Sequence, residues 1–261
     1  MIRIGRARRA AIAALAAVAI GAAGARAAQK TEAEKMFEED VIKTEAGDLK
    51  ITFLGHASLG FAYQGKVLYV DPVGNPSGTP VDYSKMPKAD IILVTHNHAD
   101  HFSAETIAAL TKEGTTVVSF ASPTMAALYP EGIQLAPGEN ERVNGIKIEA
   151  ISAYNDSHAQ GMGFVGFLLT IDGVRVYCSG DTELSPEMLA LTDIDVAVLN
   201  VRAGYSLSGE DAADFAEQVG PQVLIPIHWM PEDDTFNDSM QIQIIRNSLP
   251  GTTRLVVLEL K

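Results

Sequence analysis

The sequence predicts an α/β protein in which two β-sheets pack face to face and helices cover their outer surfaces, a four-layer sandwich. Three observations support this fold class. The chain has 261 residues with 47% hydrophobic content, which is enough for one sizeable core without a second domain. From residue 49 onward, short apolar runs of the kind that form strands dominate the sequence. Helical segments follow several of these runs, as expected where helices cover sheets.

The first 27 residues predict a signal peptide that does not belong to this core. A basic segment with four arginines precedes an alanine-rich apolar run over Ala10–Ala23, and Ala25-Arg26-Ala27 is a small-x-small cleavage site. A loose membrane anchor is the alternative interpretation, but the run is too short for a comfortable membrane span. We therefore expect an exported protein, periplasmic or secreted, that is cleaved after Ala27 or Ala28 and is not stably inserted in a membrane.

The charge of the chain argues against nucleic acid as a partner. The formal net charge is −13 at neutral pH, and residues 1–27 contain five arginines and no acid, so their removal leaves −18. Such a surface repels nucleic acid and anionic lipid at long range, and we expect a small-molecule substrate instead. Cys178 is the only cysteine, so no internal disulfide can form. The sequence does not indicate the oligomeric state.

The folded domain is predicted over residues 49–261, because residues 28–48 are polar and acidic and are expected to form a tail or a short helix. The domain begins with strands at 51–54, 59–63 and 67–70, which form a meander with a hairpin turn at Gln64-Gly65-Lys66. The third strand ends in Asp71-Pro72, and a loop rich in Gly and Pro follows it.

The rest of the chain alternates between strands and helices. Serines before several apolar segments and Pro186 at a first helical position indicate helix N-termini. We predict helices at 103–112, 122–128, 185–191, 209–219 and 237–248. We predict strands at 89–94, 115–120, 146–153, 163–171, 174–178, 194–201, 223–227 and 254–260.

The most informative stretch is Val94-Thr95-His96-Asn97-His98-Ala99-Asp100-His101, which lies between a buried strand and a helix capped by Ser103. Side chains 96 and 98 point to the same side of an extended backbone, and the turn into the helix brings Asp100 and His101 to a neighbouring point. Imidazoles and carboxylates at this spacing suit two adjacent metal ions. A polar loop that happens to be rich in histidine is the alternative, but three of the six histidines fall within six residues.

Three further polar residues follow the ends of predicted strands. His158 lies just past the strand that ends near Ala153, Asp181 follows the strand over 174–178, and His228 follows Ile227. A rigid sheet can present several ligands to one point from such loops. These residues are therefore candidates for the same metal site.

The pattern His96-x-His98-x-Asp100-His101, followed by a lone His, Asp and His, resembles the metallo-β-lactamase superfamily. Gly55-His56, Asp71-Pro72, Gly180-Asp181-Thr182 and Pro226-Ile227-His228 resemble a branch of metal-dependent hydrolases related to L-ascorbate-6-phosphate lactonase-like proteins. The resemblance extends from about residue 49 to the C-terminus and implies an αββα sandwich with a two-metal site between the sheets. It assigns His96, His98 and His158 to the first metal, Asp100, His101 and His228 to the second, and Asp181 to a bridging position.

One departure from the family concerns the third histidine ligand. Many relatives place it directly after an alanine and an aromatic residue, where this chain has Asn155. We assign His158 instead, because no other histidine lies near that strand end and the loop can bend it back. The alternative is that His158 lies on the surface and that the first metal is weakly held.

The resemblance implies a binuclear metal-dependent hydrolase that uses a metal-bound hydroxide on a small-molecule ester, lactone or related bond, and the N-terminal segment adds that it is exported. The alternatives are a phosphodiesterase or a β-lactamase with the same site, or a metal-binding protein without turnover. Two divalent ions are expected. Zn²⁺ is the default for an imidazole-rich site, and Mn²⁺ or Fe²⁺ is the alternative because carboxylates are also available.

Further residues are candidates for catalysis, support or substrate contact. Asp100 and His56 are the candidate catalytic residues; His56 is expected to line the pocket unless it is a hydrogen-bonded structural histidine. Asp71 is expected to accept an N–H from a ligand histidine, and the alternative is an Asp-Pro turn that ends a strand. Candidates for substrate contact are Asn155, Arg202, Tyr205 and Trp229. Arg202 could meet an anionic substrate, with a surface ion pair as the alternative.

Overall fold

The computed structural model describes residues 37–74, 80–229 and 238–258. Within these residues the chain forms two seven-stranded sheets, and the strands of each sheet are adjacent in the order in which they occur along the chain. The four-layer α/β class predicted from the sequence is confirmed. The predicted signal peptide lies outside the described residues, as do residues 28–36 of the predicted tail.

The first sheet combines antiparallel and parallel pairing. Antiparallel pairing joins its first four strands, and parallel pairing joins the fourth to the seventh. Its strands are β1 Glu39–Lys43, β2 Asp48–Gly55, β3 Ser58–Tyr63, β4 Lys66–Val70, β5 Ile91–Val94, β6 Thr116–Phe120 and β7 Ile133–Leu135.

The second sheet repeats this arrangement. Its first four strands pair antiparallel and its fourth to seventh strands pair parallel. Its strands are β8 Asn140–Val143, β9 Ile146–Ser152, β10 Val165–Ile171, β11 Val174–Cys178, β12 Val196–Asn200, β13 Val223–Ile227 and β14 Arg254–Leu255.

Tight two-residue turns set the register of the antiparallel pairs. Gln64 and Gly65 have φ of 47° and 76° between β3 and β4, and Asp172 and Gly173 have φ of 49° and 81° between β10 and β11. Two successive residues with positive φ are typical of the type I′ turn, whose twist matches that of paired strands. The first turn was predicted from the sequence and is confirmed, and the second joins the predicted strands 163–171 and 174–178. A third such turn, Asn144-Gly145 between β8 and β9, was missed.

Side chains of the second sheet alternate between two hydrophobic cores. Phe167 and Leu169 of β10 join the core between the sheets, whereas Leu168 faces the other way and packs with Tyr177 and Phe215. This follows from the two-residue period of a strand, and it explains why these strands are apolar on both faces.

Five helices complete the layers over the described residues: α1 Ala104–Leu110, α2 Pro123–Leu128, α3 Pro186–Leu189, α4 Gly209–Val219 and α5 Asp238–Ser248. Ile107 and Leu110 of α1 pack with the first sheet, and Phe215 of α4 and Ile245 of α5 pack with the second. Serine caps the first four helices by accepting the amide hydrogen three residues on, at Ser103, Ser122, Ser185 and Ser208. No described helix is both long and apolar enough to cross a membrane.

The edges of the sheets depart from the sequence prediction. Residues 39–43, predicted as part of a tail or short helix, form β1, and the short strands β7 and β8 were not predicted. An edge strand pairs on one side only, so it tolerates polar residues such as Glu39, which lies 3.4 Å from Lys50 Nζ on the neighbouring strand. The last strand was predicted over 254–260, but β14 ends at Leu255, and residues 259–261 lie outside the described part.

Candidate metal centre

One edge of the sandwich collects the ends of strands from both sheets. β4 and β5 are parallel, as are β11, β12 and β13, so their carboxyl ends point the same way within each sheet. The two sheets meet at this edge, because His228 N donates to His56 O (2.8 Å) and Val165 N donates to Thr95 O (3.2 Å). The seven predicted ligands all lie in loops at this edge: His96, His98, Asp100, His101, His158, Asp181 and His228.

The loop between β5 and α1 folds back on itself to aim its side chains. The amides of His101 and Phe102 both donate to the carbonyl of His98, at 3.0 and 2.8 Å, which makes a tight turn. Ser103 then starts α1 by accepting from Thr106 N (3.2 Å). The turn buries His96 and His101 completely while leaving His98 exposed.

The first group of converging donors is His96, His98 and His158. His158 Nε2 lies 3.1 Å from His98 Nδ1. His96 is 1% exposed, and its Nε2 has no hydrogen-bond partner within the described part of the chain. The buried ring of Phe164 packs beside all three imidazoles, with centroids 5.2–6.1 Å away. The structure thus brings His158 to the first group, although its position in the sequence departs from that of the relatives.

The second group contains Asp100, His101 and His228, and His56 joins them. His101 Nε2 lies 3.1 Å from His228 Nε2, and Asp100 Oδ2 lies 3.7 Å from His228 Nε2. His56 Nε2 lies 3.1 Å from Asp100 Oδ2, and its ring packs against that of His228 with centroids 3.9 Å apart. His56 therefore contacts two predicted ligands.

Asp181 lies between the two groups. Its Oδ2 is 3.8 Å from His96 Nε2 and 3.3 Å from His101 Nε2, and its Oδ1 is 3.6 Å from His228 Nε2. The residue is 5% exposed. A buried carboxylate that faces imidazoles of both groups has the position expected of a ligand shared by two cations.

Asp71 and Thr95 orient the imidazole rings of His101 and His96 through hydrogen bonds to their Nδ1 atoms. Asp71 Oδ2 accepts from His101 Nδ1 (2.8 Å) and from Thr95 Oγ1 (2.6 Å), and its Oδ1 accepts from Thr95 N (2.8 Å). Because the Thr95 hydroxyl donates to Asp71, it is free to accept from His96 Nδ1 at 3.0 Å. Each ring thereby directs its Nε2 into the centre, the arrangement that fixes the tautomer of a metal-ligating histidine. Thr95 was not singled out from the sequence.

Asn200 is a second residue that the sequence analysis missed. It ends β12, is 3% exposed, and donates from Nδ2 to Asp181 Oδ1 at 2.7 Å. Its own amide donates to Ser179 Oγ at 2.9 Å. The available signal was a polar residue directly after the apolar run Val196–Leu199, a pattern that His228 shares after Val223–Ile227.

Three residues at the centre have strained backbone conformations. His56, Asp71 and His228 have φ of 51°, 46° and 70° without being glycine. The left-handed region is uncommon for such residues, and it persists only where surrounding contacts determine it. Backbone hydrogen bonds hold these positions, because His228 N donates to His56 O (2.8 Å) and Asp71 N donates to Leu93 O (2.9 Å).

The electrostatics of the centre favour positive charge. Burial acts to raise the pKa of Asp181, but the neighbouring His228 and His101 outweigh burial and lower the pKa well below its usual range. Burial acts to lower the pKa of His101, but the carboxylates of Asp181 and Asp71 raise it well above its usual value. The two buried carboxylates therefore favour a positive charge beside them.

Other histidines are held neutral. Burial lowers the pKa of His96 well below its usual value, and the charge of His101 lowers it further. Burial also lowers the pKa of His158, and burial together with His228 lowers the pKa of His56 to about 4. Neutral imidazole is the form that binds metal ions.

These donors fit divalent metal ions. With metal–nitrogen bonds of about 2.0–2.1 Å, two ligands of a tetrahedral ion lie about 3.3–3.4 Å apart, close to the 3.1 Å between nitrogens in each group. The unpartnered Nε2 of buried His96 is a polar atom that a metal ion would satisfy. The groups offer imidazole and carboxylate donors, which suit Zn²⁺, Mn²⁺ and Fe²⁺.

A cavity of about 350 Å³ opens onto the ligands. Arg202 and Tyr205, two of the predicted substrate contacts, line it together with Ser157, and the Arg202 guanidinium lies 5.8 Å from the centroid of the Tyr205 ring.

Trp229 and His56 do not line this cavity. Trp229 packs in the core beside the second sheet, and His56 lies behind Asp100. Asn155 does not line it either. A larger cavity of about 640 Å³, near Tyr83 and Phe102, contains none of the ligand side chains.

The chain is similar to known metal-dependent hydrolases. Residues 50–228 match the family described as Beta-lactamase superfamily domain. A UPF0173 metal-dependent hydrolase of Symbiobacterium thermophilum is 32% identical over 192 residues, which cover 69% of this chain and 84% of that protein. Another from Caldivirga maquilingensis is 28% identical over 219 residues, which cover 80% of this chain and 94% of that protein.

Solved structures of metal-dependent hydrolases are also similar to this chain. A protein from Parabacteroides distasonis is 34% identical, with a TM-score of 0.74 over 86% of this chain and 100% of that chain. Igni18, a metallo hydrolase from Ignicoccus hospitalis, is 25% identical, with a TM-score of 0.66 over 81% of this chain and 95% of that chain.

Proposed function

This chain belongs to the metallo-β-lactamase superfamily, and on that premise we propose that it is a binuclear metal-dependent hydrolase of small molecules. The observation that carries this proposal is the position of Asp181. Its buried carboxylate lies within 4 Å of imidazole nitrogens from both groups of donors. A single metal site would not require a carboxylate between two separate sets of histidines.

The proposed ligands divide between two ions. His96, His98 and His158 would hold the first, Asp100, His101 and His228 would hold the second, and Asp181 would contact both. When bound, two divalent cations lower the pKa of an attacking water and polarise the oxygen of the bond to be broken. We propose Zn²⁺ as the metal, with Mn²⁺ or Fe²⁺ as alternatives.

The chain itself supplies orientation. Asp71 and Thr95 fix the rings of His101 and His96, and Asn200 fixes Asp181, so the donors are in place before an ion arrives. The proposed role of His56 is to hold the carboxylate of Asp100, since it contacts that group and lies away from the cavity. No serine or cysteine nucleophile is required by such a site, and Cys178 is buried in the core.

The cavity supports a small substrate. Its volume of about 350 Å³ lies near the lower end of the range for small-molecule sites, and each residue that lines it has a side chain with a polar group. We propose an ester, a lactone or a related bond as the target.

In keeping with the N-terminal sequence, we also propose that the protein acts after export. N-terminal sequencing of the protein from its native host tests this proposal, and the mature chain should begin at Ala28 or Gln29.

A metal titration combined with a substrate panel tests the function. The metal-free protein is titrated with Zn²⁺, and the loaded protein is then assayed on lactones, carboxylic esters, phosphodiesters and β-lactams. We expect two ions per chain and turnover of one of these classes that disappears on chelation. Binding of a single ion would contradict the binuclear assignment, and two ions without turnover of any class would contradict the hydrolase assignment.

A further inference from the structure

Asn155 builds the turn that returns His158 to the site. Its side-chain Oδ1 accepts from Ser157 N (2.8 Å) and from His158 N (2.9 Å). Its backbone also exchanges two hydrogen bonds with that of His158, at 3.0 and 3.1 Å. An asparagine side chain that accepts from the amide two residues on replaces one residue of a backbone turn. This turn places a histidine from a loop beyond β9 among the buried donors.

The ring of His158 is oriented less directly than the rings of His96 and His101. The Nδ1 atoms of His101 and His96 have partners at 2.8 and 3.0 Å, which orient the rings directly. The partners of His158 Nδ1 are the Asp181 carbonyl at 3.4 Å and Asn155 Nδ2 at 3.5 Å, and both are weak contacts. The ring of His158 is therefore positioned mainly through its backbone, and the backbone is positioned by Asn155.

The same side chain reaches a second loop. Asn155 Nδ2 donates to the carbonyl of Tyr205 at 2.6 Å. That carbonyl lies in the loop after β12, which carries both Arg202 and Tyr205 on the wall of the cavity. One carboxamide thus joins a donor of the first metal group to the wall that faces the substrate.

We propose that Asn155 is a positioning residue that sets both the affinity of the first metal group and the shape of the cavity wall. Its Oδ1 acts on the metal group through the backbone of His158. Its Nδ2 acts mainly on the Tyr205 loop, because the bond to Tyr205 O is 2.6 Å long whereas the contacts with His158 Nδ1 and Asp181 O are 3.5 Å long. The inference rests on the proposed binuclear function, and it replaces the sequence-based expectation that Asn155 contacts the substrate itself.

Two substitutions separate the two halves of the proposal. Asn155→Ala removes both the side-chain acceptor of the turn and the donor to the Tyr205 carbonyl. Asn155→Asp keeps the acceptor and loses the donor. Asp156→Ala is the matched control, because Asp156 is exposed in the same turn and does not line the cavity. Zn²⁺ affinity is measured by chelator competition, Co²⁺ absorption reports the coordination of each ion, and KM is measured on a substrate from the panel.

For Asn155→Ala we expect one ion to bind as in the wild type and the other to bind about 10–100-fold more weakly, with loss of the corresponding Co²⁺ absorption. For Asn155→Asp we expect both ions to be retained and KM to rise, and for the control we expect wild-type values. A general loss of folding would lower the melting temperature of the metal-free variant, which we expect to match that of the control.

The outcomes also separate this inference from the proposed function. Two ions bound with wild-type affinity and spectrum in Asn155→Ala would overturn the role of Asn155 and leave the function standing. Loss of the same ion in Asn155→Asp would overturn the division between the two halves of the carboxamide. A wild-type protein that binds fewer than two ions would contradict the proposed function, whatever the variants do.

Discussion

At the scale of single residues, the site is held together by hydrogen bonds to the sides of the candidate ligands that face away from the centre. Asp71 accepts from His101, Thr95 accepts from His96, and Asn200 donates to Asp181. Two of these partners are held by further bonds at strand ends: Asp71 accepts from Thr95 N, and Asn200 N donates to Ser179 Oγ. The donors therefore converge because strands fix the partners that orient them.

Asp181→Asn tests the shared carboxylate. The amide oxygen of the variant can still accept from Asn200, which leaves its NH₂ group facing the imidazoles that would flank the ions. We expect binding to fall from two Zn²⁺ ions towards one, and turnover to collapse, while the fold is retained. Metal content by elemental analysis and circular dichroism check this.

The exposed residue Asp214 on α4 provides the control, because Asp214→Asn makes the same change in charge away from the centre. The control should retain two ions. Retention of two ions and of near wild-type turnover in Asp181→Asn would show that the carboxylate is not shared, and the site would then have to be assigned to the histidines alone.

The sequence identified the ligand side chains better than their supports. His96, His98, Asp100 and His101 could be predicted because four polar residues in a fixed spacing after an apolar strand are unusual. Thr95 and Asn200 were missed, since a single threonine or asparagine at a strand end is common and acquires its role only when a second strand brings a partner to it. Trp229 was singled out for lying beside His228, but successive residues point in different directions, and it packs in the core.

At the scale of elements, the central strands were predictable and the edge strands were not. β5, β10 and β13 are buried on both faces, so their apolar runs are distinct in the sequence. β8 has the sequence Asn-Glu-Arg-Val and is mostly exposed, so only its pairing with β9 makes it a strand. The turn that sets this pairing, Asn144-Gly145, was the available signal.

Gly166→Ala tests the close approach of two strands near the site. A Cβ atom on Gly166 of β10 would lie 2.4 Å from the carbonyl oxygen of Ser179, which is backbone and cannot move without shifting the loop to Asp181. We expect the free energy of unfolding to fall by about 1–3 kcal/mol and Zn²⁺ affinity to fall with it.

Chemical denaturation of the metal-free protein measures the first effect, and chelator competition measures the second. Gly161→Ala is the matched control, since a Cβ there meets nothing within 4 Å. Equal stability and equal affinity in the two variants would mean that the strands separate freely at this point.

Asp90 links β4 to β5 and gives the stability a dependence on pH. Its Oδ2 accepts from Val67 N at 2.8 Å, and its Oδ1 lies 2.7 Å from Lys112 Nζ. Burial acts to raise the pKa of Asp90, but Lys112 and the Val67 amide outweigh burial and lower it. A carboxyl whose pKa is lower in the folded state stabilises the fold above its unfolded pKa of about 3.9 and loses that contribution as the pH falls below it.

Asp90→Asn should therefore destabilise the metal-free protein by about 1 kcal/mol at pH 7, and the difference from wild type should shrink below about pH 4. Urea denaturation at a series of pH values measures this. The same series on Asp214→Asn should show no such trend, and a difference for Asp90→Asn that is independent of pH would mean that the charge of Asp90 does not contribute.

At the scale of the whole molecule, the fold and the site depend on different parts of the chain. The two hydrophobic cores contain strand and helix residues such as Phe167, Leu169 and Phe215, whereas the donors lie in loops beyond the strand ends. The two sheets have the same pattern of four antiparallel strands followed by parallel ones, so loops of like position from each sheet meet at one edge. The sandwich can thus form before any ion is bound.

Removal of metal should accordingly leave the protein folded but less stable. Two large cores do not involve the ligands, and His101 can carry a proton between Asp181 and Asp71 in place of a cation. A ligand that binds only the folded state stabilises it by about 2.7 kcal/mol at a hundred times its Kd, so the melting temperature should rise with Zn²⁺ concentration. Near- and far-ultraviolet circular dichroism of the chelated protein should retain the signals of the loaded protein, with a melting temperature lower by several degrees. Loss of the near-ultraviolet signal on chelation would instead mean that the ions hold the two sheets together, and the donors would then be part of the folding core rather than a site built on its edge.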